Sequence, residues 1–182
     1  IAGCASALGA SFAGALGVTS TSGPGICLKS EAMNLAVIME LPLVVIDVQR
    51  GGPATGLPTK SEQTDLLQCL FGRNGETPMP VIAATSPADC FESAYAACKI
   101  ALEHMTPVVF MSDAYIANGS EAFKLPNLAE YPAINPPYVP ESMKGTWTPY
   151  MRDERDVRYW AVPGREGFAH ILGGLEKDSK TG

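Results

Sequence analysis

The sequence TSTSGPGICLKSEAMNLAVIMELPLVVIDVQ, residues 19–49, decides the fold. Its last part, residues 43–48, is apolar except for Asp47 and lacks the alternation of a strand with one face in water. Such a run is typical of a strand covered on both faces. Ahead of it, the pattern predicts a short strand at residues 18–21, a turn formed by SGPG and a helix over residues 28–40. We therefore predict that residues 43–48 form a central parallel strand.

The alternation of strands and helices continues along the chain. It predicts a helix over residues 61–72, a buried strand over 80–86, a helix from Ser86 to about residue 104, and another buried strand over 107–115. A first helix is expected from the apolar side chains that recur along one face: Ile1, Cys4, Leu8, Phe12 and Leu16. This order predicts an α/β fold with a parallel sheet covered by helices on both faces.

The pattern changes after Asn118. Seven prolines fall between residues 125 and 163 with little periodicity, which indicates an extended arm. We predict one domain over residues 1–118 and an extended arm, or linker to a next domain, over residues 119–182. Because the sequence does not start with Met, we expect it to lie within a longer parent chain.

The composition excludes several classes of protein. A net charge of −6 without any basic run argues against a nucleic-acid partner. Residues 1–28 carry no charge, but few of them are large and apolar, and GPG would break a spanning helix. The five cysteines form no CxxC pair, so we expect reduced thiols, a cytoplasmic location and no metal site: Cys4, Cys27, Cys69, Cys90 and Cys98.

The segment after the first strand does not match either glycine-rich phosphate motif. A P-loop starting at Gly23 requires glycine at the position of Leu28, and the dinucleotide motif requires a third glycine there as well. What remains is a serine-rich turn and a helix N-terminus at the carboxyl edge of a sheet, where ligands usually bind. The residues alone leave a ligand site and a plain tight turn equally open.

The loop over residues 49–60 is the better candidate. Arg50 follows the central strand, and a guanidinium held there could bind a carboxylate through two parallel hydrogen bonds. A solvated surface arginine is the alternative. His104 and His170 are disfavoured as catalytic groups, because one ends a helix and the other lies in the arm. Asp47 and Asp113 fit satisfied caps or turns better than a cation site.

Residues 19–68, together with TPVVFMSDAYIANG, resemble the α subunits of 2-oxoacid:ferredoxin oxidoreductases, particularly the 2-oxoglutarate type. The tail AVPGREGFAHILGGLEKDSKTG is also similar to that family. The resemblance implies the domain that binds the pyrimidine side of thiamine diphosphate. It implies that the parent enzyme decarboxylates a 2-oxo acid oxidatively to its acyl-coenzyme A and passes electrons to ferredoxin.

The resemblance also implies roles for particular residues. Ser22, Gly23, Pro24 and Gly25 would form part of the cofactor pocket. Arg50 would bind the substrate carboxylate, and Thr59 would line the pocket for the substrate side chain. A β subunit would hold the diphosphate and its magnesium, and an iron–sulfur cluster would lie on a partner chain or domain.

One departure from the family pattern is important. The glutamate that activates the aminopyrimidine, and a threonine that contacts substrate, would both precede Ile1. We therefore expect no catalytic residue within this chain and no activity from it alone. Two alternatives stay open: a non-catalytic assembly module of such a complex, or the same chemistry on pyruvate or a branched-chain 2-oxo acid.

Overall fold

Four parallel strands form the sheet in the computed structural model, which describes residues 1–173 and 177–178. The strand order is β1-β2-β4-β3, so β2 and β4 are central. The strands and helices, in chain order, are α1 (Ala2–Phe12), β1 (Gly17–Thr21), α2 (Gly23–Ile38), β2 (Leu43–Gln49), α3 (Leu66–Phe71), β3 (Val81–Ala83), α4 (Asp89–His104), β4 (Pro107–Asp113) and α5 (Ala114–Asn118). Two short 3-10 helices follow at Leu128–Glu130 and Glu141–Met143.

Both faces of the sheet are covered by helices, which confirms the predicted fold class. On one face Val45 packs in a cluster with Cys4 of α1 and with Ile26 and Met33 of α2. On the other face its neighbour Val44 packs with Ala97 of α4. Successive β2 side chains point to opposite faces, so an unbroken apolar run is what two buried faces require.

The helix after β1 begins earlier than predicted. Its first residue is Gly23, so SGPG is not a turn that precedes the helix. Ser22 is the N-cap in extended conformation, and its carbonyl accepts hydrogen bonds from the N–H groups of Gly25 at 2.8 Å and Ile26 at 3.0 Å. Pro24 fits because the first helical turn has N–H groups without helical partners. By contrast α3 begins at Leu66, five residues later than expected.

Residues beyond 118 run alongside α4. The Glu121 carboxylate accepts a hydrogen bond from the Ala88 N–H at 2.8 Å, near the start of α4. The Glu103 carboxylate, in the last turn of α4, accepts one from the Asn135 N–H at 3.1 Å. Between them, the hydroxyl of Tyr131 donates to Glu92. The segment therefore passes along α4 from the carboxyl edge of the sheet to its amino edge.

At the amino edge the arm is anchored by a buried arginine. Arg158 is 1% exposed, and its Nη2 donates to the Glu40 carbonyl at 3.0 Å, just before β2. Trp160 and Val157 pack on Met105, just before β4. The arm also has a small apolar cluster of its own, which includes Val139, Ala161 and Phe168. The boundary between residues 118 and 119 stays a prediction.

Among the described residues, no helix is both long enough and apolar enough to cross a membrane. All five cysteines have free thiols. Within the same residues no group of three or more His, Cys, Asp or Glu side chains could hold a metal ion.

Candidate functional site

The SGPG segment and Arg50 follow two strands that are neighbours in the sheet. Strand β1 ends at Thr21, which pairs with Asp47 of β2, and both strands run in the same direction. Their carboxyl ends therefore lie at one edge, where open α/β sheets bind ligands. The first turn of α2 and the loop after β2 face each other across this edge.

A cavity of about 390 Å³ opens between these two segments. That volume lies at the lower end of the range for small-molecule sites. Its lining consists of residues from α2, the loop after β2, and α3 with its preceding segment: Gly23, Pro24, Cys27, Arg50, Gly52, Pro53, Ala54, Glu62, Thr64, Asp65 and Gln68. The structure thus brings Gly23 and Pro24 together with Arg50. Ser22 and Gly25 do not line this cavity.

Two positions in the first turn of α2 have no room for a side chain. A Cβ atom at Gly25 would lie 1.7 Å from Oγ1 of Thr21, and one at Gly23 would lie 2.7 Å from Oδ2 of Asp65. The backbone can approach the end of β1 and the carboxyl group of Asp65 this closely only as glycine. The two glycines therefore set the shape of the cavity wall.

Arg50 has a free cationic group at this cavity. Its side chain is half-buried, and its buried Nε has no hydrogen-bond partner in the part of the chain that the structure describes. No hydrogen bond or ion pair of its guanidinium occurs within residues 1–173 and 177–178. A buried N–H donor without a partner costs about 1–3 kcal/mol. A carboxylate in the cavity would remove that cost and pair with the charge.

The loop that carries Arg50 is held by backbone hydrogen bonds. The Gly51 N–H donates to the Lys60 carbonyl at 2.9 Å, and the Leu57 N–H donates to the Gly51 carbonyl at 2.9 Å. Next to them, the Gly52 N–H donates to Oε2 of Glu62 at 2.7 Å. These contacts close the loop at its base, so Arg50 projects from a fixed backbone.

Thr59 lies apart from Arg50. It is exposed and lines a larger, open cleft of about 1020 Å³ beyond the ends of β3 and β4, with Thr85, Ser86 and Tyr115. Glu62 borders both the cleft and the cavity. Arg50 and Thr59 are therefore not brought into one cavity, and the position of Thr59 relative to a substrate stays a prediction.

Local contacts hold Asp113 and His170, and also the buried Lys29. Oδ1 of Asp113 accepts hydrogen bonds from the N–H groups of Tyr115 at 2.7 Å and Ile116 at 3.0 Å, which makes Asp113 the N-cap of α5. Nζ of Lys29 donates to Oγ1 of Thr19 and the carbonyl of Ser20. Nδ1 of His170 contacts the Phe168 carbonyl at 2.8 Å. Neither histidine lines the cavity or the cleft.

The sequence did not reveal a buried pair of carboxyl groups beneath the cavity. Asp47 of β2 is fully buried, and Asp65, the N-cap of α3, is 9% exposed. Both flank Cys69, whose Sγ donates to Oδ2 of Asp47 at 3.9 Å and whose N–H donates to the Asp65 carbonyl at 2.9 Å, so the two carboxyl groups lie next to each other and interact. Burial and the neighbouring Asp65 carboxylate raise the pKa of Asp47 to about 7. Asp47 was expected to be satisfied by a cap or turn, but its Oδ1 has no other partner among the described residues.

A sequence family matches residues 1–176, and it is described as pyruvate flavodoxin/ferredoxin oxidoreductase, thiamine diphosphate-binding. The 2-oxoglutarate oxidoreductase subunit KorA of Mycobacterium tuberculosis is 55% identical over 183 residues, covering 100% of this chain and 28% of that protein. The 2-oxoglutarate synthase subunit KorA of Archaeoglobus fulgidus is 42% identical over 130 residues, 71% of this chain and 38% of that protein.

A solved structure is also similar. It is the 2-oxoglutarate:ferredoxin oxidoreductase from Magnetococcus marinus with 2-oxoglutarate, coenzyme A and succinyl-CoA bound. The TM-score is 0.89 at 36% identity, over 99% of this chain and 31% of that one. This chain thus spans about a third or less of the length of its 55%-identical relative and of this structure.

Proposed function

Since this chain belongs to the thiamine diphosphate-binding domains of the pyruvate flavodoxin/ferredoxin oxidoreductase family, we propose that it forms the substrate and pyrimidine side of a 2-oxoglutarate:ferredoxin oxidoreductase. The whole enzyme would convert a 2-oxo acid and coenzyme A to an acyl-coenzyme A and carbon dioxide, passing two electrons to ferredoxin. The observation that carries the proposal is the unpaired Arg50 guanidinium at the cavity beside Gly23 and Pro24.

The residues at the cavity fit both ligands. Gly23 adds no side chain to the cavity wall and Pro24 adds an apolar ring against which a flat heteroaromatic ring can pack, and Arg50 supplies the cation for a carboxylate. When bound, thiamine diphosphate supplies the carbon nucleophile and the electron sink for decarboxylation. This chain would orient the 2-oxo acid through its carboxylate, and the partial burial of Arg50 would strengthen that contact.

The remaining parts of the site would come from other regions of the enzyme. Within the described residues, no group of three or more His, Cys, Asp or Glu side chains could hold a metal ion, and the Glu62 carboxylate at the cavity accepts a hydrogen bond from the Gly52 N–H. We propose that a β subunit holds the diphosphate and magnesium, and that iron–sulfur clusters lie on a partner chain or domain. The chain would act in the cytoplasm, as part of a heteromer.

The test is a comparison of two substitutions in the assembled enzyme. Every 2-oxo acid has the carboxylate that Arg50 would bind, so Arg50→Lys is expected to lower kcat/KM for 2-oxoglutarate and pyruvate alike. The loss of one bidentate, charge-assisted contact corresponds to roughly 1.5 to 3 kcal/mol, or about one to two powers of ten. Thr59→Ala should instead change the ratio of the two values, because side-chain discrimination is a difference of transition-state affinities.

Three results would contradict these assignments. If Arg50→Lys alters only the ratio while Thr59→Ala lowers both values equally, the two roles are reversed. If neither substitution matters, the loop after β2 is not the substrate site. If the unmodified enzyme prefers pyruvate or a branched-chain acid, the proposed reaction stands but 2-oxoglutarate is not its main substrate.

A non-catalytic assembly module is the second candidate. Large apolar side chains are exposed on α2 and α3, with Leu28 at 63%, Leu67 at 69% and Phe71 at 76%. Such a face is typical of a subunit interface. The assembly role would replace the catalytic role only if Arg50→Lys left turnover unchanged in a fully assembled complex.

A further inference from the structure

The buried carboxyl pair beneath the cavity is not used by the proposed chemistry. Asp65 is fixed by Gln49, whose Oε1 accepts a hydrogen bond from the Asp65 N–H at 3.0 Å and whose Nε2 donates to the Ser112 carbonyl at 3.3 Å. Asp47 is fixed by β2 and accepts a hydrogen bond from Sγ of Cys69 at 3.9 Å. The two carboxyl groups are thus held together from β2, β4 and α3.

No cation forms a salt bridge with this pair within the described residues. Lys29 is buried nearby; its ammonium donates to Thr19 and Ser20 of β1, and its charge lowers the pKa of Asp47 by less than burial and Asp65 raise it. Arg73 donates to the Cys69 carbonyl and to Thr77. The remaining charged groups that face the pair are Glu62, whose negative charge acts on Asp65, and Arg50, which lines the same cavity. Within the described residues, neither aspartate forms an ion pair.

Two ionised carboxylates in contact repel each other strongly when both are buried. A single shared proton removes the repulsion, because one group then donates an O–H to the other. It also gives a partner to two buried oxygens, Oδ1 of Asp47 and Oδ2 of Asp65, which have no other hydrogen-bond partner within the described residues.

The pair also contacts the cavity wall. Both carboxylate oxygens of Asp65 lie against Gly23, within 2.7 and 2.8 Å of where a Cβ atom would be. Any displacement of Asp65 therefore acts on the first turn of α2. We propose that Asp47 and Asp65 share one proton, and that this acid–carboxylate pair positions Gly23 and the first turn of α2 for the cofactor. The positioning role rests on the proposed function, because that function supplies the cofactor. The shared proton does not depend on it.

The shared proton is tested without any ligand. In the assembled enzyme at pH 6, the infrared difference between wild type and Asp47→Asn should contain the carbonyl band of a protonated carboxylic acid. Raising the pH to 8 should remove most of that band from wild type. Asp156→Asn serves as the matched control, because Asp156 is exposed and its φ of 60° suits asparagine. Absence of the band, or its equal loss in the control, would overturn the shared proton.

The positioning role has two readouts. Hydrogen exchange of the Gly25 and Ile26 amides, which donate to Ser22, should accelerate about tenfold or more in Asp65→Ala at fixed pH. Thiamine diphosphate should bind about tenfold more weakly to that variant. Asp65→Asn, which keeps a hydrogen bond to Asp47, should restore both values to within a factor of about three. This rescue distinguishes positioning from a general loss of folding.

The pH dependence gives a third check. Between pH 6 and 8 the affinity of wild type for thiamine diphosphate should fall relative to Asp47→Asn, whose amide keeps the pair hydrogen-bonded throughout. Unchanged exchange and affinity in Asp65→Ala would overturn the positioning role. If thiamine diphosphate bound to no form of the enzyme, the proposed function would fail, while the infrared and exchange results would still decide the inference.

Discussion

Replacing Arg158 tests whether the arm is an integral part of the folded domain. In Arg158→Met a side chain of similar length keeps the packing near Trp160, but the guanidinium is lost. Its Nη2 bond to the Glu40 carbonyl, at 3.0 Å, and its Nη1 bond to the Tyr159 carbonyl, at 3.2 Å, disappear with it. The Glu40 carboxylate, 3.7 Å from Nε of Arg158, keeps Arg152 as a partner.

The expected cost follows from these contacts. Two partly buried hydrogen bonds from a charged donor contribute about 1.5 kcal/mol each at the lower end of their range, and two carbonyls lose this donor. Because Arg152 still neutralises Glu40, the penalty for an isolated buried charge is not added. We expect the free energy of unfolding to fall by roughly 3 kcal/mol, a large share of the stability of a typical domain.

The measurement is urea unfolding of the purified chain, followed by tryptophan fluorescence and circular dichroism. Arg155→Met is the matched control, because Arg155 pairs with Asp153 at the surface with its side chain 46% exposed. That pair should contribute less than about 1 kcal/mol. Equal effects of the two substitutions would refute the reasoning. Coincident fluorescence and circular dichroism transitions would show that the arm and the sheet unfold as one unit.

Three further predictions follow from the site and the surface. The folded chain holds the Asp47 proton up to about pH 7, whereas the unfolded chain loses it near pH 4. The free energy of unfolding should therefore fall by up to roughly 4 kcal/mol as the pH rises through that window. Asp47→Asn should remove this pH dependence, measured by urea unfolding at pH 5 and 8. The chain alone should bind thiamine diphosphate weakly or not at all, and a micromolar or tighter calorimetric constant with magnesium would contradict this. The chain should self-associate through exposed Leu67 and Phe71, and light scattering should show Leu67→Ser with Phe71→Ser shifting it toward monomer.

Much of the fold could be predicted because its signals are local. An apolar run bounded by turn residues predicted β2 within one residue of its end at Gln49. The start of α2 was predicted five residues too late, because proline and two glycines are as typical of a turn as of a first helical turn, and only the Ser22 cap separates the two. α3 was predicted too long, because residues 61–64 are held outside the helix by tertiary contacts such as the hydrogen bond from Gln63 to Asp113.

The site divides in the same way. Arg50 could be placed at the carboxyl edge because it directly follows a predicted central strand. The contact between Asp47 and Asp65 could not be predicted, since the two residues are 18 positions apart in the sequence and a loop of unpredictable path brings them together. One signal was present: a lone aspartate within an apolar strand must have a partner elsewhere. The sequence could not specify which one.

The path of the arm separates two kinds of defect within one small domain. Its anchor at Glu40 and Met105 lies before β2 and β4, whereas Arg50 and the first turn of α2 lie beyond the opposite ends of β1 and β2. Substitutions at the anchor should give a temperature-sensitive enzyme whose surviving molecules select substrates normally. Substitution of Arg50 at the cavity should give an abundant, heat-stable enzyme that turns over poorly. A mutational screen that scores protein abundance and turnover separately would therefore map the two ends of the sheet onto two phenotypes.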